Sequence, residues 1–408
     1  MTIQLCTRVC RRAAVIAVCA YLGVATADSP DWSIVTQPVT DYLAGVPWVH
    51  GAALIVLKDG APMHEQFWGS VSARSQIQIA SATKMLSAVA ILSLVDDGLL
   101  GLDVPVSTYL PVEFPTGTPK GQITVRQMFS HTSGLPAQSP LISNNSITLA
   151  QAVAAIGTQT PLLATPGAVY TYGGVSMHVA GRVAEVVTGQ SWTTLFAERV
   201  ATPLGLTATD FEAFGPTLNP RIAGGARSSA HDLIRLTAML AGGGTLDGVR
   251  VLSPDAVAIM LSDQTGGAPP SSLPGSLAEW LGYGIGVWIE RRDADTDVPE
   301  EFTSPGGAGT TPWVNSALGI AGVFLIQHNL PAVDGFTDAI RDFARSVAVE
   351  CEPKPPTADL DGDGIVDGAD LGLLLQQWGS GGSADLNGDG VVDGIDLGIL
   401  LQQWGTRQ

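Results

Sequence analysis

Residues 81–95 read Ser81-Ala-Thr-Lys84-Met-Leu-Ser-Ala-Val-Ala-Ile-Leu-Ser-Leu-Val95, and the remainder of the chain is best read outward from them. An apolar run of this length without Gly or Pro suits a helix over about residues 82–97, apolar on almost every side and therefore buried. The i, i+3 spacing brings the Lys84 amine onto the same face as the Ser81 hydroxyl. A serine nucleophile needs a base within reach, and a helix start adds a positive dipole end with free N–H groups that favour oxyanion charge beside Ser81. Alone, Ser-x-x-Lys is weak, because it recurs by chance and Ser is a common helix N-cap beside a surface lysine.

Strand-like stretches lie at 52–58, 283–290 and 318–327, with helical ones at 175–187 and 230–240 between them. Strand signals at both ends predict an α+β domain whose sheet joins chain-distant segments. Along it come Met128-Phe-Ser-His131-Thr-Ser-Gly-Leu-Pro136, Pro166-Gly-Ala-Val-Tyr-Thr-Tyr172-Gly-Gly174, Val186-Val-Thr-Gly189, Gly224-Gly-Ala-Arg-Ser-Ser-Ala-His-Asp-Leu233 and Ser304-Pro-Gly-Gly-Ala-Gly-Thr-Thr-Pro-Trp313. In this order and spacing, residues of about 35–345 resemble the serine β-lactamase-like family of class C β-lactamases, D-Ala-D-Ala carboxypeptidases and related esterases. The resemblance implies a β-lactamase/transpeptidase-like α+β fold, an antiparallel sheet flanked by helices and packed on a helical region, with the site in the cleft between them.

The resemblance also implies roles. Ser81 matches the acylated nucleophile, Lys84 its partner, and Tyr172 the tyrosine of a Y-x-N element that relays the proton to the leaving group. The pairing makes chemical sense, since an ammonium stabilises phenolate and phenolate can accept the Ser proton. Tyr170 is the rival for that role. The third element aligns at Ser304-Pro-Gly306, and the next N–H, of Gly307, would complete an oxyanion hole with that of Ser81. Two positions depart from the family pattern: its Asn is Gly174 here, and the usual Lys or His is Ser304. Losing an amide and a cation weakens binding of an anionic β-lactam more than attack on a neutral ester.

Other solutions are excluded or disfavoured. The chain has no G-x-S-x-G and no H-E-x-x-H, and His50, His64, His131, His178, His231 and His328 show no zinc spacing. A formal charge of −18 would repel a nucleic-acid backbone. His131 is expected to shape its loop by hydrogen bonds, His178 and His231 to be packing or surface residues, and Trp288 and Trp313 either to line an acyl pocket or to pack in the core.

Residues 359–379, DLDGDGIVDGADLGLLLQQWG, and 385–405, DLNGDGVVDGIDLGILLQQWG, agree at 17 of 21 positions. Loop positions 1, 3, 5, 9 and 12 carry Asp359, Asp361, Asp363, Asp367 and Asp370, then Asp385, Asn387, Asp389, Asp393 and Asp396. Gly364 and Gly390 stand at the sharp turn, and Ile365 and Val391 at position 7 can offer backbone carbonyls, which is the spacing of an EF-hand calcium loop. Each loop is followed by an exit helix, with Leu371, Leu374, Leu375 and Trp378 expected as the buried stripe of the first. The tail resembles a dockerin, which implies two structural calcium ions and a protein partner. Positions 10 and 11, Gly368-Ala369 and Gly394-Ile395, depart from the polar pair of cellulosomal dockerins.

The N-terminus reads as an export signal: Arg8, Arg11 and Arg12 precede an apolar run ending at Ala25-Thr-Ala27. Cleavage near Ala27 would remove Cys6, Cys10 and Cys19 and leave Cys351 without a disulfide partner. The expected organisation is a signal at 1–27, a hydrolase domain at 28–350, a Pro-rich linker at 351–358 and the dockerin-like repeat at 359–408. The chain thus reads as an exported serine hydrolase of esters, periplasmic, cell-surface or extracellular, with no catalytic cofactor and no transmembrane span. A β-lactamase or D-Ala-D-Ala carboxypeptidase is the alternative enzyme, and a catalytically silent binding protein in an extracellular assembly the alternative from another class.

Overall fold

The computed structural model describes residues 30–271, 280–350 and 357–406 of the chain. The export signal, all four cysteines and most of the Pro-rich linker lie outside the described residues. No helix among the described residues is long and apolar enough to cross a membrane.

The main sheet is antiparallel and six-stranded. Its strands are β1 (Gly51–Lys58), β2 (Ala61–Gly69), β3 (Trp288–Arg292), β4 (Pro299–Thr303), β5 (Thr311–Asn315) and β6 (Ile320–Ile326), in the spatial order β2-β1-β6-β5-β4-β3. The pairing of β1 with β6, from Ala52 opposite Ile326 to Lys58 opposite Ile320, joins segments more than 260 residues apart and closes the domain. Both strands are buried on two faces, so they read as continuous apolar runs. Ala52, Leu54 and Val56 face one core with Ile320, Phe324 and Ile326, while Ala53 and Ile55 face the other with Ala321, Val323 and Leu325.

The first core is covered by helices Ser33–Gly45 and Asp334–Glu350. Trp313 belongs here and not near the cleft: its indole lies against Gly322, where a Cβ would stand 2.0 Å from the ring. Only glycine permits that approach, and the acyl-pocket reading of Trp313 is thereby corrected to core packing. The second core holds helix Thr83–Asp96, buried from Thr83 through Leu94, and the helical region that includes Leu149–Gln159, Val175–Thr188 and Ala230–Ala241. The strand expected at 283–290 starts only at Trp288. Gly286, at φ 76°, brings the chain so close to helix Thr83–Asp96 that a Cβ there would meet the Lys84 carbonyl at 2.7 Å.

In the tail, helices Gly368–Gln376 and Gly394–Gln402 pack together around Val366, Leu374, Leu386, Val392 and Leu400. The stripe drawn from the sequence is partly corrected, because Leu375 and Trp378 are about half exposed. The helix ends at Gln376, so Trp378 lies beyond it and does not follow the helical repeat. The two halves are instead cross-tied by backbone: Val366 N–H donates to Thr406 O and Val392 N–H to Ser380 O.

Candidate active site

Ser81 sits in a single 3₁₀ turn, Ala80–Ala82, that leads directly into helix Thr83–Asp96. It does not cap the helix, and its hydroxyl accepts instead from Lys84 Nζ at 3.1 Å. Lys84 is buried and also donates to the Ala223 carbonyl at 2.9 Å. These two bonds fix the amine beside the Ser81 hydroxyl. Ala80, immediately before Ser81, has φ 45°, a left-handed conformation uncommon outside glycine, so the Ser81 hydroxyl is presented on a strained backbone. Thr83 holds the bend by donating to Ala80 O at 2.6 Å and accepting from Ala226 N–H at 3.0 Å.

Tyr172 is half-buried, and Lys84 Nζ overlies its ring at 4.5 Å from the centroid. Its rival Tyr170 is fully buried, and desolvation, with the neighbouring phenols Tyr283 and Tyr172, pushes its hydroxyl well above the usual range. Tyr283 is raised in the same way, first by burial and then by Tyr172. Neither can supply a phenolate, which leaves Tyr172 as the phenol beside Lys84. Trp288 packs on the Tyr172 ring at 4.9 Å.

His131 lies among these aromatics, with its ring 4.8 Å from that of Tyr172. The expectation that it shapes the loop through ring hydrogen bonds is corrected: both ring nitrogens are buried without a partner, and among the described residues its backbone carbonyl accepts from Thr171 N–H at 2.8 Å. Burial, reinforced by the Lys84 charge, holds its pKa well below 6.5, so the ring is neutral. His178 is a packing residue, bonded through Nε2 to Asn219 Oδ1 at 2.7 Å and lowered to about 4 chiefly by burial.

The third element reaches Ser81 directly. Ser304 is buried and donates its hydroxyl to the Ser81 carbonyl at 3.1 Å. Gly306 abuts the Ile79 carbonyl so closely that a Cβ would stand 2.1 Å from it, while Gly307 is exposed. Among the described residues, neither the Ser81 nor the Gly307 N–H has an internal acceptor. Ser81, Lys84, Tyr172 and Ser304 are thus brought together by direct contacts, Gly306 packs on Ile79 two residues before Ser81, and Gly307 is the next residue along that segment. At Gly174 an added Cβ would meet Ile142 Cδ1 at 2.9 Å, so the space of the family's Asn is taken by an isoleucine. Sequence reading missed Ala223, which acts only through its carbonyl and carries no side-chain signal.

A cavity of about 240 Å³ opens beside the nucleophile, lined in part by Ser81, Lys84, Ile142, Gly174, Phe214 and Arg221. Chemically, the arrangement offers a hydroxyl, an adjacent amine and a phenol on one locus.

In the tail, Asp359, Asp361 and Asp363 each place a carboxylate oxygen within 4.8 Å of the others. Asp361 accepts the Asp363 N–H, yet desolvation and the carboxylates of Asp363, Asp370 and Asp359 leave its pKa raised. Asp370 and Asp396 are buried, and both oxygens of each accept backbone N–H groups, from Leu360, Asp361 and Asp367 and from Leu386, Asn387 and Asp393. Burial opposes their charge, but these bonds outweigh it and lower both pKa values. Oδ1 of each accepts two N–H groups and Oδ2 only one, so Oδ2 keeps lone-pair capacity and, with the carboxylates of Asp359, Asp361 and Asp363 in the first loop, fits a hard cation.

Residues 39–345 match the family model described as Beta-lactamase. The crystal structure of a candidate β-lactamase from Bacteroides dorei superimposes with a TM-score of 0.65 at 31% identity, covering 73% of this chain and 91% of that one. A lovastatin esterase of Penicillium rubens is 27% identical across 64% of this chain and 81% of its own length. Penicillin-binding protein 4 of Amycolatopsis lactamdurans is 33% identical, over 39% of this chain and 44% of its own.

Proposed function

The chain belongs to the Beta-lactamase family, a family of serine hydrolases that includes esterases, and from that premise we propose that it cleaves carboxylic esters through an acyl-enzyme on Ser81. The observation that carries this reading is the 3.1 Å bond between Lys84 Nζ and Ser81 Oγ. Ser81 Oγ attacks the ester carbonyl while its proton passes to the Tyr172 phenolate, which the adjacent Lys84 ammonium stabilises. The carbonyl oxygen, now an oxyanion, accepts from the N–H groups of Ser81 and Gly307. As the C–O bond to the alcohol breaks, Tyr172, beside the amine, returns the proton to the departing oxygen. Water then attacks the acyl carbon, its proton taking the same path back, and the free acid and Ser81 hydroxyl are regenerated.

Two features favour esters. Ser304 stands where the family's cation would hold a substrate carboxylate, and its hydroxyl is engaged by the Ser81 backbone. Gly174 supplies no amide, and Ile142 fills the place where one would project. Similarity to a penicillin-binding protein favours the second reading, a β-lactamase or D-Ala-D-Ala carboxypeptidase.

The wider organisation belongs to the same proposal. Residues 1–27 direct export, 28–350 form the hydrolase, 351–358 the linker and 359–408 a dockerin-like anchor for a protein partner. In the anchor, Asp359, Asp361, Asp363, Ile365, Asp367 and Asp370 would hold one calcium ion and Asp385, Asn387, Asp389, Val391, Asp393 and Asp396 a second. Calcium would neutralise the crowded carboxylates and so favour the folded repeat. Turnover of p-nitrophenyl butyrate, nitrocefin and a D-Ala-D-Ala peptide by the wild type and by Ser81→Ala tests the catalytic reading. The butyrate should be the preferred substrate, and nitrocefin preferred over every ester would promote the second reading.

A further inference from the structure

The cavity beside Ser81 has one cation on its wall apart from Lys84, among the described residues. The Arg221 guanidinium lies over the Phe214 ring, 3.7 Å from its centroid, and one terminal nitrogen donates to the Ser143 carbonyl at 3.3 Å. Its Nε is buried and has no hydrogen-bond partner. In a chain of formal charge −18, no carboxylate among the described residues pairs with it, and burial alone shifts its pKa, downward. His178, in the same wall, is neutral and cannot answer the charge or duplicate it. An arginine fork on a cavity wall, held flat against an aromatic ring and without a carboxylate partner among the described residues, suits a planar oxyanion.

The side of the site that Arg221 occupies decides which part of the substrate it meets. The cavity is walled by Ile142, Gly174, Phe214 and Ile222, whereas Gly307 does not line it and is exposed. The acyl group stays bonded to Ser81 through the intermediate and suits the walled side. The alcohol must depart and suits the open one.

We propose that Arg221 binds a carboxylate at the far end of the acyl chain, so that the site selects monoesters of dicarboxylic acids. This rests on Ser81 being the acylated nucleophile. The carboxylate is bound and not transformed: the bond that breaks is the ester bond at the other end of the chain.

The test compares kcat/KM for mono-4-nitrophenyl adipate and 4-nitrophenyl heptanoate, acyl chains of nearly equal length that differ in terminal charge. Arg221→Gln should lower the adipate-to-heptanoate ratio about 10- to 100-fold, the range of a charge-assisted hydrogen bond, and Arg221→Lys should restore part of it. An unchanged ratio in Arg221→Gln overturns the proposal. So does a loss confined to 4-(butyryloxy)benzoate, whose carboxylate is on the alcohol side. Calorimetry with monomethyl adipate on Ser81→Ala protein needs no turnover. Adding Arg221→Gln should weaken binding at least about tenfold, and equal binding in both proteins overturns the proposal. Retained ester turnover in Ser81→Ala would instead contradict the acyl-enzyme reading, leaving calorimetry to decide Arg221.

Discussion

The Ser304 hydroxyl donates to the backbone carbonyl of Ser81 across 3.1 Å and 223 positions of sequence. The Ser304 side chain therefore braces the backbone of Ser81, the proposed nucleophile. Removing it in Ser304→Ala should lower kcat several-fold without unfolding the domain, since a neutral hydrogen bond contributes about 0.5–1.5 kcal/mol. Paired kcat and Tm measurements check this, and the account of Ser304 is wrong if kcat is unchanged.

Tyr172→Phe should lower kcat/KM about 10²–10⁴-fold, the share of a positioned acid–base group. Tyr170→Phe should be nearly silent and as stable as wild type, because the Tyr170 hydroxyl is buried without a partner and removing it leaves nothing newly unsatisfied. Steady-state kinetics on both variants decides between the two tyrosines. A dead Tyr170→Phe beside an active Tyr172→Phe would move the second element by two residues.

Gly306→Ala should fold less well and lose about 10²–10³ in kcat, because its Cβ would stand 2.1 Å from the Ile79 carbonyl and must displace the Gly307 N–H from the oxyanion. Circular dichroism and kinetics together separate the two effects. Near-normal kcat in a folded Gly306→Ala would remove this segment from the oxyanion hole.

Acid should destabilise the hydrolase domain through His178, whose folded pKa of about 4 lies below the unfolded 6.5. Above pH 6.5 both states are neutral and the group has no effect. Between about 6.5 and 4 the unfolded chain takes up the proton first, so stability falls with pH, by on the order of 3 kcal/mol across that window. His131, also lowered by burial, acts in the same direction. His178→Gln should flatten the profile of Tm against pH between 7 and 4.5. An identical slope in the variant would mean that His178 is not buried as a neutral ring.

The α+β architecture and the Ser81, Lys84 and Tyr172 grouping were legible because they rest on local spacing, apolar runs and the order of short motifs. What stayed hidden depends on approach between distant backbones. Nothing in the spelling of Ala223 tells that its carbonyl holds Lys84. Trp313 was ambiguous because its partner is a glycine nine residues on, Gly322. The neutral, unpartnered His131 is set by three phenols from two distant segments, Tyr170 and Tyr172 from one and Tyr283 from the other. Arg221 passed unnoticed because an arginine is ordinary until its surroundings are seen to lack an acid.

The full chain should bind two calcium ions through the C-terminal loops, with ester turnover persisting in EDTA, since Ser81 and Lys84 depend on no residue of the repeat. Calorimetry on the full chain, with Asp359→Ala and Asp385→Ala removing one ion each, checks the stoichiometry. No uptake, or activity lost with the metal, would contradict this division of labour.

The acyl-enzyme on Ser81 is tested most directly by intact-protein and peptide mass spectrometry after incubation with a fluorophosphonate and with p-nitrophenyl butyrate. One covalent adduct is expected, on the peptide containing Ser81, absent in a Ser81→Ala protein whose circular dichroism matches the wild type. An adduct on another residue, or undiminished ester turnover in Ser81→Ala, would contradict it.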